Sequence, residues 1–428
     1  MATMHVSHPD IEKFINCKQK AGVLTNFNIS VMCDDAFMTA VQTDSEYSLH
    51  FDGVEYKTVR ALALWKSIMR TTWDTAEPGI LFYDTINRKN NMSYCETIRA
   101  TNPCGEQPLP PHGACLLGSF NLMKYIKLVE TPTEDTYRAP EISMYYIFDY
   151  EQLVTDIPPI VRMMDNVIDR TVFPLPEQEA EAKAKRRMGL GVTGLANALE
   201  TMGLPYGGEE FLLAMEDIME VIRDEVYLAS IELAKEKGAF PAFDKQLYFN
   251  DSSFQTTLPE YIREEIYKDG IRNSHLLSIA PTGTISLYAG NISSGIEPVL
   301  ALRQSRNAIG QDGDTKTFYI EDYAYANFGV EGLTSDLVTA DEHIDVLNMA
   351  SKYVDSACAK TCNVGENISF EEFSELYMKA YLGGSSGCTT FRPVSFKDDV
   401  RGKVIEEYKE EDGAACFINE FGERTCAD

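Results

Sequence analysis

Apolar positions along this chain switch repeatedly between helical and strand spacing. After Pro9, the positions Ile11, Phe14 and Ile15 predict a short amphipathic helix that ends near Gly22. Residues 26–31 alternate polar and apolar as a half-buried strand does, and 34–41 return to helical spacing. Residues 58–75 read as a helix, broken at Ala76, Glu77, Pro78 and Gly79 before the apolar run that starts at Ile80; loop-like sequence follows to about residue 115. A strand is predicted over 116–123, irregular acidic chain over 124–150, and a long helix over 151–170 with Ile157, Val161, Met164 and Ile168 on one face. Arg187 opens a glycine-punctuated turn that leads into a helix. Further helices are expected over 209–237, 341–358 and 369–382, and two apolar strands with a small-residue turn over 276–288. With no repeat at solenoid spacing and no long Gly/Ser or Pro linker, the simplest reading is one continuous α/β unit over 1–400, with a charged, core-poor tail over 401–428 that is expected to be mobile.

Composition narrows the function classes. The 428 residues are 44% hydrophobic and 24% charged, as in an ordinary globular protein, and no apolar run approaches the roughly 20 residues of a membrane-spanning helix. The N-terminus lacks the basic start and apolar core of a secretion signal, so a cytoplasmic location is expected. In that reducing compartment ten cysteines do not imply a disulfide framework; some are candidates for catalysis or redox exchange. Sixty-six acidic against 38 basic residues give a formal charge of −28, which argues against a phosphate-tracking surface for nucleic acid. A small phosphorylated ligand stays compatible with that charge, because backbone amides and hydroxyls can hold a phosphate.

Several segments carry candidate chemistry. Asn102, Cys104 and Glu106 lie two residues apart in a Pro/Gly-rich loop, and in an extended loop that spacing projects them to one side. A thiol between an amide and a carboxylate suits chemistry at a hydroxylated carbon; a buried structural cysteine beside a turn is the bland alternative. Cys115, at the start of an apolar strand, is either a second thiol able to supply reducing equivalents or a core residue. The run Pro281, Thr282, Gly283, Thr284, Ile285, Ser286 offers hydroxyls and backbone donors that suit a phosphate, although a plain turn between strands has the same composition. Cys416 and Cys426 sit on the tail, where exposed thiols can exchange with an internal disulfide and an external reductant; zinc is the competing reading, but no histidine or second cysteine pair is nearby. Cys358 and Cys362 have the spacing of one helical face and suit ordinary packing, while Cys17, Cys33, Cys95 and Cys388 carry no partner signal.

Taken together, these segments resemble ribonucleotide reductase catalytic subunits over essentially the whole chain. The matching motifs include those beginning at His8, Asn28, Ala76, Asn102, Gly189, Pro281, Ser294 and Gly387, in that order. The resemblance implies a ten-stranded α/β barrel with a central finger loop whose tip carries Cys104 as a thiyl radical. By position, Cys104 would abstract the ribose 3′ hydrogen, Glu106 would deprotonate the 3′ hydroxyl, and Asn102 would hydrogen-bond the substrate. Cys115 would be one of the reducing pair, the 281–286 turn would bind the substrate phosphates, and Cys416 with Cys426 would re-reduce the active-site disulfide. The wording around Cys104 and the run Thr389, Thr390, Phe391, Arg392, with no tyrosine pair, look most like the adenosylcobalamin-dependent class; the alternatives are a radical supplied by a di-metal partner subunit, or a non-catalytic nucleotide-binding fragment. Family members carry roughly a domain's worth of chain before the His8 motif, so the resemblance further implies a split enzyme completed by a separate N-terminal half, with a thioredoxin- or glutaredoxin-like protein as reductant.

Overall fold

The computed structural model describes residues 1–20, 22–132, 142–249, 253–309, 315–365 and 367–392, together with three short strands further on, Lys403–Val404, Cys416–Ile418 and Arg424–Cys426. The fold is mixed α/β, as expected. One ladder of strands runs through it. Ala2–His5, Ile29–Cys33 and Gly79–Phe82 are parallel neighbours, and Gly387–Phe391 pairs antiparallel to Gly79–Phe82 and parallel to Thr361–Asn363. Leu117–Asn121 and Gly189–Thr193 form a second parallel pair, and parallel bridges from Leu190 to Leu277 and from Ile279 to Cys358 carry the pairing across to the segment that leads into Thr361–Asn363. Residues 357–363 therefore join the two sheets. Among the described residues, Ala2–His5 pairs only with Ile29–Cys33, and Leu117–Asn121 only with Gly189–Thr193.

Helices cover the ladder with two main hydrophobic cores. One gathers Ile157, Val161, Leu199, Ile218 and Val226 around the helices Tyr150–Arg170 and Glu209–Lys237. The other gathers Phe37, Trp65, Ile68, Phe373 and Tyr377 around Asp35–Gln42, Ala61–Thr75 and Phe370–Leu382. Cys358, on the joining segment, packs against both. No described helix is long and apolar enough to cross a membrane.

Long amphipathic helices fall where periodicity put them; other expectations need correction. Residues 58–60 finish the strand Val54–Arg60, paired with Glu46–Phe51, and the helix starts only at Ala61. The loop expected up to residue 115 contains the helix Tyr83–Lys89 and a small hairpin. The stretch expected to be irregular over 124–150 pairs Ile126–Pro132 with Ile142–Phe148, because its β-branched and aromatic residues flank the acidic part. The glycine-punctuated turn after Arg187 is a fully buried strand, and the second strand expected before Tyr288 is the helix Gly283–Tyr288, entered through Thr282 at φ 52°. The helix expected over 341–358 stops at Lys352: buried Asp355 accepts the N–H groups of Leu276 (2.8 Å) and Leu277 (2.9 Å), which draws the following residues into the ladder. Cys358 and Cys362 consequently share no helical face, and the Cys362 sulfur lies 4.0 Å from that of Cys388. Most of the tail, including its expected mobility, lies outside the described residues; its backbone register sets Cys416 opposite Cys426.

Candidate active site

The hairpin between the helix Tyr83–Lys89 and the strand Leu117–Asn121 sets the geometry. Ala100–Thr101 pairs antiparallel with Pro108–Leu109, and the tip is folded by Asn102, whose Oδ1 accepts the N–H groups of Gly105 (3.1 Å) and Gln107 (3.0 Å). Gly105 turns the chain at φ 87°. The tip is therefore not extended, and the expected common side is lost: Cys104 is exposed, whereas Glu106 is 2% exposed. Two bonds tie the tip to the ladder, from Ser278 Oγ (2.9 Å) and the Ala357 N–H (3.1 Å) to the Glu106 carbonyl.

The charge of Glu106 is felt by two thiols. Burial and then the Glu106 carboxylate raise Cys104 above the usual thiol value, and the same two causes in the same order raise half-buried Cys115, against a smaller pull from Arg187. Both sulfurs are thus kept as S–H near neutral pH, the form that can give up a hydrogen atom. Glu106 Oε2 is itself buried without a hydrogen-bond partner among the described residues.

Cys104 lines a cleft of about 230 Å³ with Asn28, Ser30, Gly79, Pro281, Glu297 and Lys360. A second cavity of about 320 Å³ is lined by Pro281, Gly283, Ser286, Ser294, Glu297 and Asp322, among others. Pro281, Glu297 and Thr361 belong to both walls, so the thiol and the 281–286 turn open onto adjoining spaces. Within that turn, Thr282 Oγ1 is used internally by Thr193 Oγ1 (2.8 Å) and the Gly295 N–H (2.8 Å), and Ser286 Oγ by Ser294 Oγ (2.9 Å). Thr284 and Ile285 are exposed, and the first-turn N–H groups of Gly283–Tyr288 lie outside the helix's own ladder.

Sequence reasoning missed the ion pair at the junction. The Lys360 ammonium, fully buried, reaches Glu297 Oε2 at 2.7 Å, and Glu297 Oε1 accepts the Thr361 N–H at 2.6 Å. Burial is the largest single influence and works against the lysine charge, but Glu297 together with Tyr206 and Cys362 holds Lys360 above its usual value. Glu297 stands in the motif at Ser294, which carried the resemblance without a role; the signal for Lys360 was a lone cation within the apolar run 357–362. Glu77, paired with half-buried Lys18 at 2.5 Å, also lines the cleft. The Cys104 thiol thus opens onto a cleft that shares its Pro281, Glu297 and Thr361 wall with a polar cavity, while the Glu106 and Cys115 side chains line neither.

A family model described as the ribonucleotide reductase barrel domain matches residues 1–338. The vitamin B12-dependent ribonucleoside-diphosphate reductase of Thermoplasma acidophilum is 33% identical over 426 residues, covering 92% of this chain and 51% of that protein. The protein of the same name from Mycobacterium tuberculosis is 32% identical, covering 92% of this chain and 56% of its own length. The ribonucleoside-diphosphate reductase subunit alpha of Chlamydia pneumoniae is 29% identical over 271 residues, covering 57% of this chain. This chain spans about half the length of the B12-dependent relatives it matches.

Proposed function

Because this chain belongs to the ribonucleotide reductase barrel-domain family, we propose that it carries the reacting thiol of an enzyme that reduces ribonucleotides to 2′-deoxyribonucleotides. The observation that carries the proposal is the shared wall of the two cavities: Pro281 and Glu297 line both the Cys104 cleft and the space beside the 281–286 turn, so one nucleotide can present its sugar to the thiol and its phosphates to the turn. Backbone donors at the turn hold the anion where the chain's charge of −28 would otherwise oppose it. Glu106 takes the proton of the 3′ hydroxyl, Cys104 exchanges a hydrogen atom with the sugar, and Asn102 keeps the tip folded with its Oδ1 while its amide N–H₂ faces the substrate. Reduction removes the 2′ hydroxyl as water while two thiols become a disulfide. Cys115 is one of them, and Cys416 with Cys426, on a redox-active tail, restores it by exchange with a thioredoxin- or glutaredoxin-like reductant.

Adenosylcobalamin is the cofactor we assign, as in the names of the similar proteins. The residues present fit a group placed over Cys104: the thiol is exposed on a cleft whose wall also carries the hydroxyl residues Ser30 and Thr389, which close in on Gly79. Asn28, Ser30 and Thr389 would face it. When bound, it supplies the homolytic initiation that ordinary side chains lack. Thr389 stands on the wall of the Cys104 cleft, where a relay from a di-metal partner subunit would call for tyrosine.

A ten-stranded barrel, completed by the N-terminal half of the relatives' length that this sequence does not span, is the assembly we propose in the cytoplasm. Its support is the half-length match and the two ladder ends, Ala2–His5 and Leu117–Asn121, each paired on one side among the described residues. The test is anaerobic conversion of CDP and CTP to deoxynucleotide with adenosylcobalamin and dithiothreitol, using this chain with and without the complementary half. Turnover that needs cobalamin and disappears in Cys104→Ala is the expected result. Turnover that survives Cys104→Ala, or none under any of these conditions, would refute the proposal.

A further inference from the structure

Positive charge is missing from the wall of the cavity beside the 281–286 turn. Among the described residues that line this space of about 320 Å³ there is no Lys, Arg or His, and two carboxylates, Glu297 and Asp322, stand on it. An anion entering there meets both, on a chain whose formal charge is already −28. The two are not equivalent. Asp322 is surrounded by donors: the Asn197 amide reaches its oxygens at 3.0 and 2.9 Å, and the N–H groups of Ala324 (3.0 Å) and Tyr325 (3.1 Å) bond the same side chain. Glu297 has the Thr361 N–H at 2.6 Å and one cation, Lys360, whose Nζ lies 2.7 Å from its Oε2. The Lys360 side chain is 0% exposed and that of Glu297 21%, so the cation stands behind the cavity wall and the carboxylate in front of it. Water does not screen a charge placed there, and its field acts through a low dielectric. Its position is fixed as well: Nζ lies 5.5 Å from the centroid of the Tyr206 ring, whose hydroxyl donates to the Ile296 carbonyl at 2.7 Å.

We propose that Lys360 is a positioning residue for the phosphate end of the substrate: acting through Glu297, it cancels the carboxylate charge that would otherwise repel the anion; the inference rests on the function proposed above. Backbone donors at the turn then bind the phosphates against a neutral wall rather than a negative one. The place of the lysine explains its form. Set directly in the cavity, it would draw the phosphates off the turn toward itself; set behind a carboxylate, it removes repulsion without adding a competing contact. Because Glu297 lines both spaces, the same cancellation covers the passage between the phosphate cavity and the Cys104 cleft.

Equilibrium binding of CDP, CMP and cytidine to this chain with its complementary half tests the inference, because the three share base and sugar and differ in phosphate charge. Lys360→Met leaves Glu297 uncompensated: CDP should weaken about tenfold or more, CMP less, and cytidine not at all. Adding Glu297→Gln to that variant makes the wall neutral again and should bring CDP back to within about threefold of wild type, a rescue that a packing role for the lysine would not give. Equal weakening of all three ligands, unchanged CDP binding in Lys360→Met, or no recovery in the double variant would overturn the inference while leaving the reductase reading intact. Failure of wild type to bind CDP at all would overturn both. If Lys360→Met does not fold, since breaking a buried pair is costly, Glu297→Gln alone is read instead. With the cation unopposed, in mildly acidic buffer where the lysine keeps its proton, CDP should bind roughly threefold tighter or more and cytidine as before. No selective gain for CDP would then overturn the inference.

Discussion

Cys104 is held as a thiol by burial and by the Glu106 charge behind it. Glu106→Gln removes the second cause, so the thiol should titrate lower and react with iodoacetamide faster at any given pH below its titration; an unchanged rate–pH profile, with Cys104→Ala as the blank, would refute that coupling. A second group set by its surroundings is Glu200, which burial pushes up to about 7 against the pull of the Leu333 N–H at 2.7 Å. Because its folded value is raised, its contribution to stability is full below about pH 4.3, the usual glutamate value, and is lost as pH rises through about 7. Glu200→Gln should match wild type near pH 4 and exceed it at pH 8 by up to roughly 3 kcal/mol, measured by denaturant unfolding. The grouping of Asn102, Cys104 and Glu106 on one loop was legible at this scale, but not the turn at Gly105 that leaves Cys104 exposed and buries Glu106. Lys360 and Glu297 were not legible, because partners 63 positions apart leave no local signature.

Strand-forming glycines explain much of what the hydrophobic pattern misread. Gly189–Thr193 looks like a turn because two glycines interrupt it, yet each glycine answers to a close approach: a Cβ on Gly191 would meet the Ser278 carbonyl oxygen at 2.1 Å. Gly191→Ala should therefore part the strand from residues 276–280 and lower the melting temperature by several degrees or abolish soluble protein, a cost of about 1–3 kcal/mol or more. Helices were legible where caps and periodicity agreed. Phe370–Leu382 begins at Ser369, whose Oγ accepts the Glu372 N–H while Glu372 returns a bond to the Ser369 N–H. Ser369→Ala should cost about 1 kcal/mol in the same unfolding measurement. Where a helix ended on a distant group, as at Asp355, no reading of local sequence could find the boundary.

At the level of the whole molecule, the α/β class followed from alternation alone, but the order of strands did not, since pairing across hundreds of residues has no local trace. Two cores flank the ladder, and its end strands are the surfaces a complementary half would cover. Leu117, 38% exposed on one of them, should tolerate Leu117→Lys in the isolated chain yet lose complementation of reductase activity; retained complementation would argue against that edge as the contact. The joining segment has its own consequence. Its amides bond in turn to the hairpin tip (Ala357 to the Glu106 carbonyl), to residue 279 (Ala359), to Glu297 (Thr361) and to residue 391 (Val364). Deuterium should enter these positions only when both sheets come apart, so they time the molecule's global opening, and the loop that presents Cys104 is fastened to the slowest clock in the chain.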